Sequence, residues 1–568
     1  PPRSTLFPYT TLFRSHNAGA ALVVDGELIA AVNEERINRL KNSIGFPYEA
    51  IAEVLRLGGL QPAQIDRIVI AGDITPSCFL RIVPDLHKYA KELSGQFGMN
   101  YIAYTYYQIF ARSLRLPYWL DKRASRWLLR RRLRRLGFIA PVEMFEHHEA
   151  HAYSAFLCGP FAKATVITAD AMGDALTATA GVGSPDGSVR RLFAQSGAAA
   201  LNPYYSRITE YLGFKPNRHE GKITGLAAYG DAQKLAPLFR QVLHFRGPGF
   251  STLGNPFKHH RTRGWYRLLV GETREDIAAA CQLVLEEAVT AFVQYWVRRT
   301  GLSDVVLAGG IFENVKLNQR IRELPEVARI SIFPNMGDGG LAAGAALGVS
   351  GAKPQPLITP YLGAEYDDAR IEQALRAKNL KFSRPDDLPL AIARLLADRQ
   401  VVPRFVDRME YGPRALGNRT IYFRPDDPSV NDWLNKMLRR TEFMPFAPVV
   451  PDYAADKCFI GVDGARFTSR FMNMCYDCTD YMRQVGAGCV HVDNTARPQI
   501  VTPETNPDMY AILVAYEQVT GVPVLINTSF NMHEEPIVMT PEDAVRAYLD
   551  AHFRYLAIGP FLVESDAS

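Results

Sequence analysis

A mixed α/β architecture in more than one domain is what this sequence predicts, and three observations carry that reading. Short apolar runs of buried-strand type at 67–71, 164–168 and 304–307 alternate with helical stretches such as 277–299 and 340–348. Asp25-Gly26, a strong two-residue turn signal, joins the runs 20–24 and 27–32 into a hairpin. At 568 residues the chain exceeds one ordinary core, so two to four domains are expected.

Composition is that of a soluble globular protein, 47% hydrophobic and 22% charged. No apolar run approaches the roughly 18 residues that span a bilayer, and a cytoplasmic location is expected. The net charge of +5 neither demands nor excludes anionic partners. Seven cysteines in so long a chain do not make a disulfide framework. Cys475 and Cys478 form a lone CxxC, which reads as reduced structural thiols rather than a redox or zinc site.

Residues 351–360 (GAKPQPLITP), rich in proline, are the expected linker. Helical stretches follow at 368–378 and 389–398, then a strand at 401–406. That strand feeds the most informative stretch, residues 410–419 (EYGPRALGNR). Arg414 and Arg419 flank glycines, a proline and Asn418. This is a preset backbone carrying fork-shaped cations suited to a carboxylate or phosphate. Three further clusters share its character. They are residues 440–448 with Arg440, residues 491–497 (HVDNTAR) with Arg497, and residues 524–531 (VLINTSFN) with Asn527 and Ser529. Together they suggest one oxyanion-binding site assembled from separated loops.

In the first half, His147 and His151 are four apart on a helical stretch, so both can reach one ion while His148 points elsewhere. A structural pair is the competing reading, and two acidic positions support the ligand reading. Asp170 ends a buried strand and Asp338 stands on a glycine loop before a helix. Two imidazoles and two carboxylates suit a divalent first-row metal with open positions, and the ligand types admit Fe2+, Mn2+ or Zn2+. Gly309 and Gly310 follow a strand and Asn314 opens the next helix, a junction whose amides can hold phosphate.

The motifs GPRALGNR, TEFMPFAP, HVDNTAR and LINTSFN, in this order, resemble the NodU/CmcH family of O-carbamoyltransferases, the TobZ-like enzymes, over roughly residues 16–560. The resemblance implies a duplicated actin-like (ASKHA, TsaD-like) domain at 16–350 and a YrdC-like α/β domain at 361–568. No internal repeat is visible in the sequence. It also implies a short strand before His16; the anomalous segment 1–15 lacks a targeting pattern and reads as foreign, with that strand missing or replaced. The metal ligands carried over are His147, His151, Asp170 and Asp338, with ferrous iron as the implied ion. One departure is Asp170-Ala171 where the family has Asp-Gly.

The implied activity takes ATP (with Mg2+) and carbamoyl phosphate, forms carbamoyl adenylate in the second domain, and transfers the carbamoyl group to a hydroxyl in the first. Arg414, Arg419, Arg440 and Arg497 would neutralise the anions, and Asn418, Asn527 and Ser529 would orient the carbamoyl group. Gly309, Gly310 and Asn314 would hold phosphate, Lys222 would line the nucleotide, and Lys41 would border the adenylate. Glu34, Glu35, Arg36 and Lys41 equally read as an exposed charged turn. His16 would take the acceptor's proton. The acceptor would be a small molecule, a sugar or secondary metabolite.

A tRNA threonylcarbamoyl-transfer enzyme and a non-catalytic nucleotide-binding regulator are the alternatives. Nucleic acid is not expected as a partner, because only residues 122–135 carry a basic footprint. That stretch holds eight cations with Leu129, Leu133 and Leu136 at helical spacing. It reads as a membrane-surface helix, a basic docking face, or a plain solvated helix.

Overall fold

A computed structural model describes residues 4–9, 17–75, 77–78, 81, 115–199, 201–252, 264–439 and 444–565. His16 and Arg440 lie outside the described residues. The chain divides into two compact units, residues 1–34 with 42–356, and residues 35–41 with 357–568. The expected linker straddles the division between Pro356 and Leu357.

The first unit holds two five-stranded sheets. One contains β1 (Ser4–Tyr9), β2 (Gly19–Val24), β3 (Glu27–Asn33), β4 (Arg67–Ala71) and β5 (Val142–Phe145) in the order β3-β2-β1-β4-β5. The other contains β6 (Ala164–Gly173), β7 (Leu176–Gly183), β8 (Val189–Ser196), β11 (Asp304–Ala308) and β12 (Arg329–Ile332) in the order β8-β7-β6-β11-β12. A small hairpin, β9 (Leu243–Arg246) with β10 (Gly249–Thr252), stands apart. In each five-stranded sheet the first three strands form an antiparallel meander, and the last two run parallel to the first. The two sheets therefore share one topology, a duplication that the sequence hides.

Two expectations can be compared with this sheet directly. The Asp-Gly hairpin forms as read, with Val24 opposite Glu27 and positive φ at Asp25 (50°) and Gly26 (87°). The segment expected to lack an entering strand supplies one: Ser4–Tyr9 pairs with β2 and with β4 at the sheet centre. Ladder pairing uses backbone groups, and Thr5, Leu6, Phe7 and Tyr9 all favour strand, so an unfamiliar sequence can still fill the position.

Helices α1 (Tyr48–Gly58) and α6 (Leu341–Ser350) pack on the first sheet, and α3 (His147–Leu157) packs on β6 and β11 of the second. Between them in sequence lie α2 (Arg115–Arg135), which packs on β5, α4 (Arg274–Thr300) and α5 (Val315–Arg322). Helices α3 and α6 cross closely because Gly344 has no side chain. A Cβ there would lie 1.8 Å from the Ala150 carbonyl oxygen.

The second unit is built on one mixed eight-stranded sheet, β13 (Phe382–Ser383), β22 (Phe561–Glu564), β21 (Tyr555–Ile558), β14 (Val402–Phe405), β15 (Arg419–Phe423), β20 (Leu525–Ser529), β16 (Ala447–Pro451) and β19 (Gln499–Val501), in that spatial order. A two-stranded ribbon, β17 (Tyr476–Asp477) with β18 (Thr495–Ala496), lies outside it. Helices α7 (Leu388–Ala397) and α8 (Pro507–Thr520) bury Ile392, Leu396, Met509 and Leu513 with Tyr422, Val449 and Leu525 of the sheet. Both units are α/β. No helix among the described residues is long and apolar enough to cross a membrane.

Replacing Gly344 by alanine should force α3 away from α6. Helix propensity alone favours alanine, but overpacking outweighs it, so thermal or urea unfolding should show a net loss of about 1–3 kcal/mol.

Candidate functional site

The first unit brings His147, His151, Asp170 and Asp338 together from three elements: α3, the end of β6, and the short turn that opens α6. One ligand atom of each lies within 4.8 Å of the others. Both imidazole Nε2 atoms face Oδ2 of Asp170, at 3.1 and 3.2 Å, and Oδ1 of Asp338, at 3.5 and 3.6 Å. His148 turns away, its Nδ1 hydrogen-bonded to Thr168 Oγ1 at 2.8 Å. Burial holds His148 well below its ordinary pKa, so it is neutral.

Burial also opposes charge on His147 and Asp170. Burial is the largest single influence on each, but their mutual hydrogen bond together with the neighbouring Asp338 and His151 outweighs it, raising the histidine and holding the carboxyl well below its usual range. Two ring nitrogens competing for one carboxylate oxygen is an arrangement that a shared cation resolves, and the donor set fits a divalent first-row metal.

The motif that supplies Asp170 does more than the sequence discloses. Gly173 leaves room for the His147 ring: a Cβ there would come within 2.1 Å of His147 Cγ. Asp174, wholly buried, accepts four backbone N–H groups, those of Asp73 (2.8 Å), Ile74 (2.9 Å), Thr75 (3.0 Å) and His147 (2.9 Å). It thereby ties the loop after β4 and the first residue of α3 to the β6–β7 turn. Its partners are distant in sequence, and the only cue was a second aspartate four positions after Asp170.

Asp338 is held indirectly. Asn33 Oδ1 accepts from Asn335 Nδ2 at 3.1 Å, and Asn33 Nδ2 donates to the Gly339 carbonyl at 3.4 Å. Gly309, at φ 110°, closes onto β6, where a Cβ would lie 2.1 Å from the Ala169 oxygen. A Cβ on Gly310 would lie 3.1 Å from Asp170 Oδ1, so this glycine pair abuts Asp170. Asn314 has a different duty from the one expected. Its side chain caps α5 and pairs with Gln282, which commits its Oδ1 and one of its Nδ2 hydrogens.

In the second unit one carboxylate organises the arginine loop. Glu410 Oε1 accepts the amides of Leu416 (2.8 Å), Asn418 (2.8 Å) and Arg419 (3.0 Å). Arg36 Nη2, on the segment 35–41, donates to the Gly412 carbonyl at 2.8 Å. Lys41 ends that segment and is exposed.

Arg419 departs from expectation. It is wholly buried, donates to the carbonyls of Val406, Asn418, Asp407 and Ala364, and stacks 3.7 Å over the Phe405 ring. Its cation braces the loop and is not free for a ligand. Asn418 and Asn527 are likewise committed. Asn418 donates to Arg408 O and accepts from Asn506. Asn527 donates to Gln499 and Ala415 O and accepts from Thr420. Ser529 lies partly buried two residues further along β20.

Arg414 and Arg497 are near enough for their charges to act on one another. Burial, and then the Arg414 charge, push the Arg497 guanidinium down to about 9. Arg497 makes no hydrogen bond or ion pair among the described residues, so a bound anion would relieve both penalties.

Comparison with known proteins decides the family. The model described as Carbamoyltransferase N-terminus matches residues 11–347, and that described as Carbamoyltransferase C-terminus matches residues 393–565. The chain belongs to the carbamoyltransferase family. This transferase is 31% identical to an uncharacterized Synechocystis sp. protein, over 97% of this chain and 95% of that one. It is 30% identical to the nodulation protein NolNO of Sinorhizobium fredii, over 97% and 79%. It is 28% identical to the 3'-hydroxymethylcephem-O-carbamoyltransferase of Streptomyces clavuligerus, over 59% and 63%.

Two outcomes test these assignments in the carbamoyltransferase. Gly173→Ala and Asp174→Ala should each lower bound metal, read by elemental analysis after dialysis against a metal buffer. Retention of metal at the parental stoichiometry in both would remove the assigned roles. Arg419→Ala should lower stability by on the order of 3 kcal/mol, since buried carbonyls lose charged donors, whereas Arg414→Ala should leave the unfolding midpoint nearly unchanged.

Proposed function

We propose that this carbamoyltransferase is an ATP- and carbamoyl-phosphate-dependent O-carbamoyltransferase acting on a hydroxyl of a sugar or secondary metabolite. The observation that carries the adenylate-forming half is the Arg414–Arg497 pair, two guanidiniums near enough for the Arg414 charge to act on Arg497, with Arg414 on the loop stapled by Glu410 and Arg497 just after β18. The twin sheets of the first unit, each with one strand order, support its reading as a duplicated actin-like domain. The second unit is read as YrdC-like.

Carbamoyl phosphate first loses phosphate to water, leaving carbamate. A carbamate oxygen attacks the α-phosphorus of ATP, the P–O bond to the β,γ-phosphates breaks, and pyrophosphate leaves. Arg414 and Arg497 meet the negative charge that accumulates in this step, and the rigid loop means they need no reorganisation to do so. Arg440, outside the described residues, is assigned to the same anions.

Transfer belongs to the first unit. His147, His151, Asp170 and Asp338 would hold a divalent cation, which supplies Lewis-acid polarisation of a carbonyl when bound. Gly310, beside Asp170, is assigned to offer its main-chain amide to the adenylate phosphate, while the Gly309 amide donates to the Met336 carbonyl at 2.7 Å and shapes the turn. His16, also outside the described residues, takes the proton of the acceptor hydroxyl as its oxygen attacks the carbamoyl carbon, and AMP leaves.

Assays of the two half-reactions test this reading. Arg414→Ala or Arg497→Ala should slow carbamoyl-phosphate-dependent pyrophosphate release by about 10²–10³-fold. His16→Asn should spare pyrophosphate release and block carbamoylation of the acceptor. Transfer at the parental rate in His16→Asn would remove its role, and a steeply salt-dependent affinity for tRNA would favour the threonylcarbamoyl reading.

A further inference from the structure

We infer that the outward face of α2 docks this protein on an anionic phospholipid surface. The leucine stripe visible in the sequence is not that face. Leu129 and Leu133 are buried against the protein, as is Asp121, the only acid of the helix. Lys122 is also drawn inward: its Nζ lies 2.7 Å from Asp73, whose carboxylate Tyr118 Oη meets at 2.6 Å.

What remains outside is a mixed surface. Arg123, Arg126, Arg130, Arg131, Arg134 and Arg135 are exposed, and none makes an ion pair or hydrogen bond among the described residues. Six cations on one helix face exceed the +5 of the whole chain. Interleaved with them are Leu116 (65% exposed), Trp119 (50%), Leu120 (52%) and Trp127 (59%). Each tryptophan sits beneath a guanidinium, Arg123 at 4.7 Å from the Trp119 ring and Arg131 at 5.7 Å from Trp127.

Solubility accounts for the arginines but not for four large apolar side chains among them. A bilayer interface accounts for both. Tryptophan rings rest at headgroup depth, leucines reach the acyl boundary, and arginines pair with anionic headgroups. A single-stranded nucleic acid would use the arginines and tryptophans by stacking, yet would leave Leu116 and Leu120 without an apolar partner. The bilayer is therefore the occupant.

The test is co-sedimentation of the full chain with phosphatidylglycerol–phosphatidylcholine vesicles and with phosphatidylcholine vesicles alone. Binding is expected only to the anionic vesicles and should weaken with added salt. Arg130→Gln/Arg131→Gln/Arg134→Gln/Arg135→Gln should lower the partition at least about a hundredfold, since each arginine near such a surface contributes about fivefold. Trp119→Ala/Trp127→Ala should lower it at least tenfold at unchanged charge. Thermal midpoints and pyrophosphate release, unchanged in both variants, separate a lost surface from a lost fold. Equal partition to both vesicle types, partition unaltered in the variants, or displacement from anionic vesicles by a short oligonucleotide would each overturn the proposal.

Discussion

Four backbone amides from two places in the chain end on one buried carboxylate, that of Asp174, and the geometry of the His147, His151, Asp170 and Asp338 cluster depends on it. The charge is removed from water, so only a full set of hydrogen bonds makes its burial tolerable. Breaking any one of them leaves the others worse solvated, and the loop after β4, the start of α3 and the β6–β7 turn are therefore fixed as a unit. The turn is itself unusual, with positive φ at Asp174 and at Ala175, neither of them glycine. Asp170 lies four residues upstream on the same strand. One hairpin thus supplies Asp170, the space for the His147 ring at Gly173, and the anchor that sets the His147 backbone.

Glu410 repeats the device in the second unit, with opposite purpose. There a carboxylate gathers three amides of a loop whose business is to present cations. Arg419 then adds donors to three carbonyls of the same loop, those of Val406, Asp407 and Asn418, and to the Ala364 carbonyl beside it, so the backbone is tied through both its N–H and its C=O groups. Rigidity of this kind matters because electrostatic stabilisation of a developing charge is strongest where the donors are already in place. Arg414 and Arg497 have a repulsive relation, and the loop holds it against relaxation. The cost of that arrangement falls when an anion lies between them.

Sequence disclosed the features whose cause is local. Asp25-Gly26 sets its own turn, the i,i+4 spacing of His147 and His151 sets their common face, and the apolar runs of β4 and β11 set their burial. Features that depend on distant partners stayed hidden. Nothing near Asp174 names residues 73–75, 99 to 101 positions upstream, or residue 147, 27 positions upstream. Arg414 and Arg419 look equivalent in the sequence because both are guanidiniums on one glycine-rich loop. Their roles diverge because β15 begins at residue 419 and draws that side chain into the interior. The duplication was equally silent, since a sheet's strand order is a property of backbone pairing and survives almost any exchange of side chains.

The segment 35–41 shows why a single cut in the chain does not separate the two functions. Arg39 donates to the carbonyls of Pro536 (2.6 Å) and Ile537 (2.7 Å), and lies 3.5 Å from Asp543. Arg36 holds Gly412 of the arginine loop, and Ile37 packs with Met409, Ala415 and Ile537. Residues nearly five hundred positions upstream therefore complete the second unit's core and brace the loop that carries Arg414. Pairing over that separation forms late and slowly relative to local contacts. A chain beginning at residue 357 would leave those carbonyls unpaired and that apolar patch uncovered, so the arginine loop depends on residues far upstream of it.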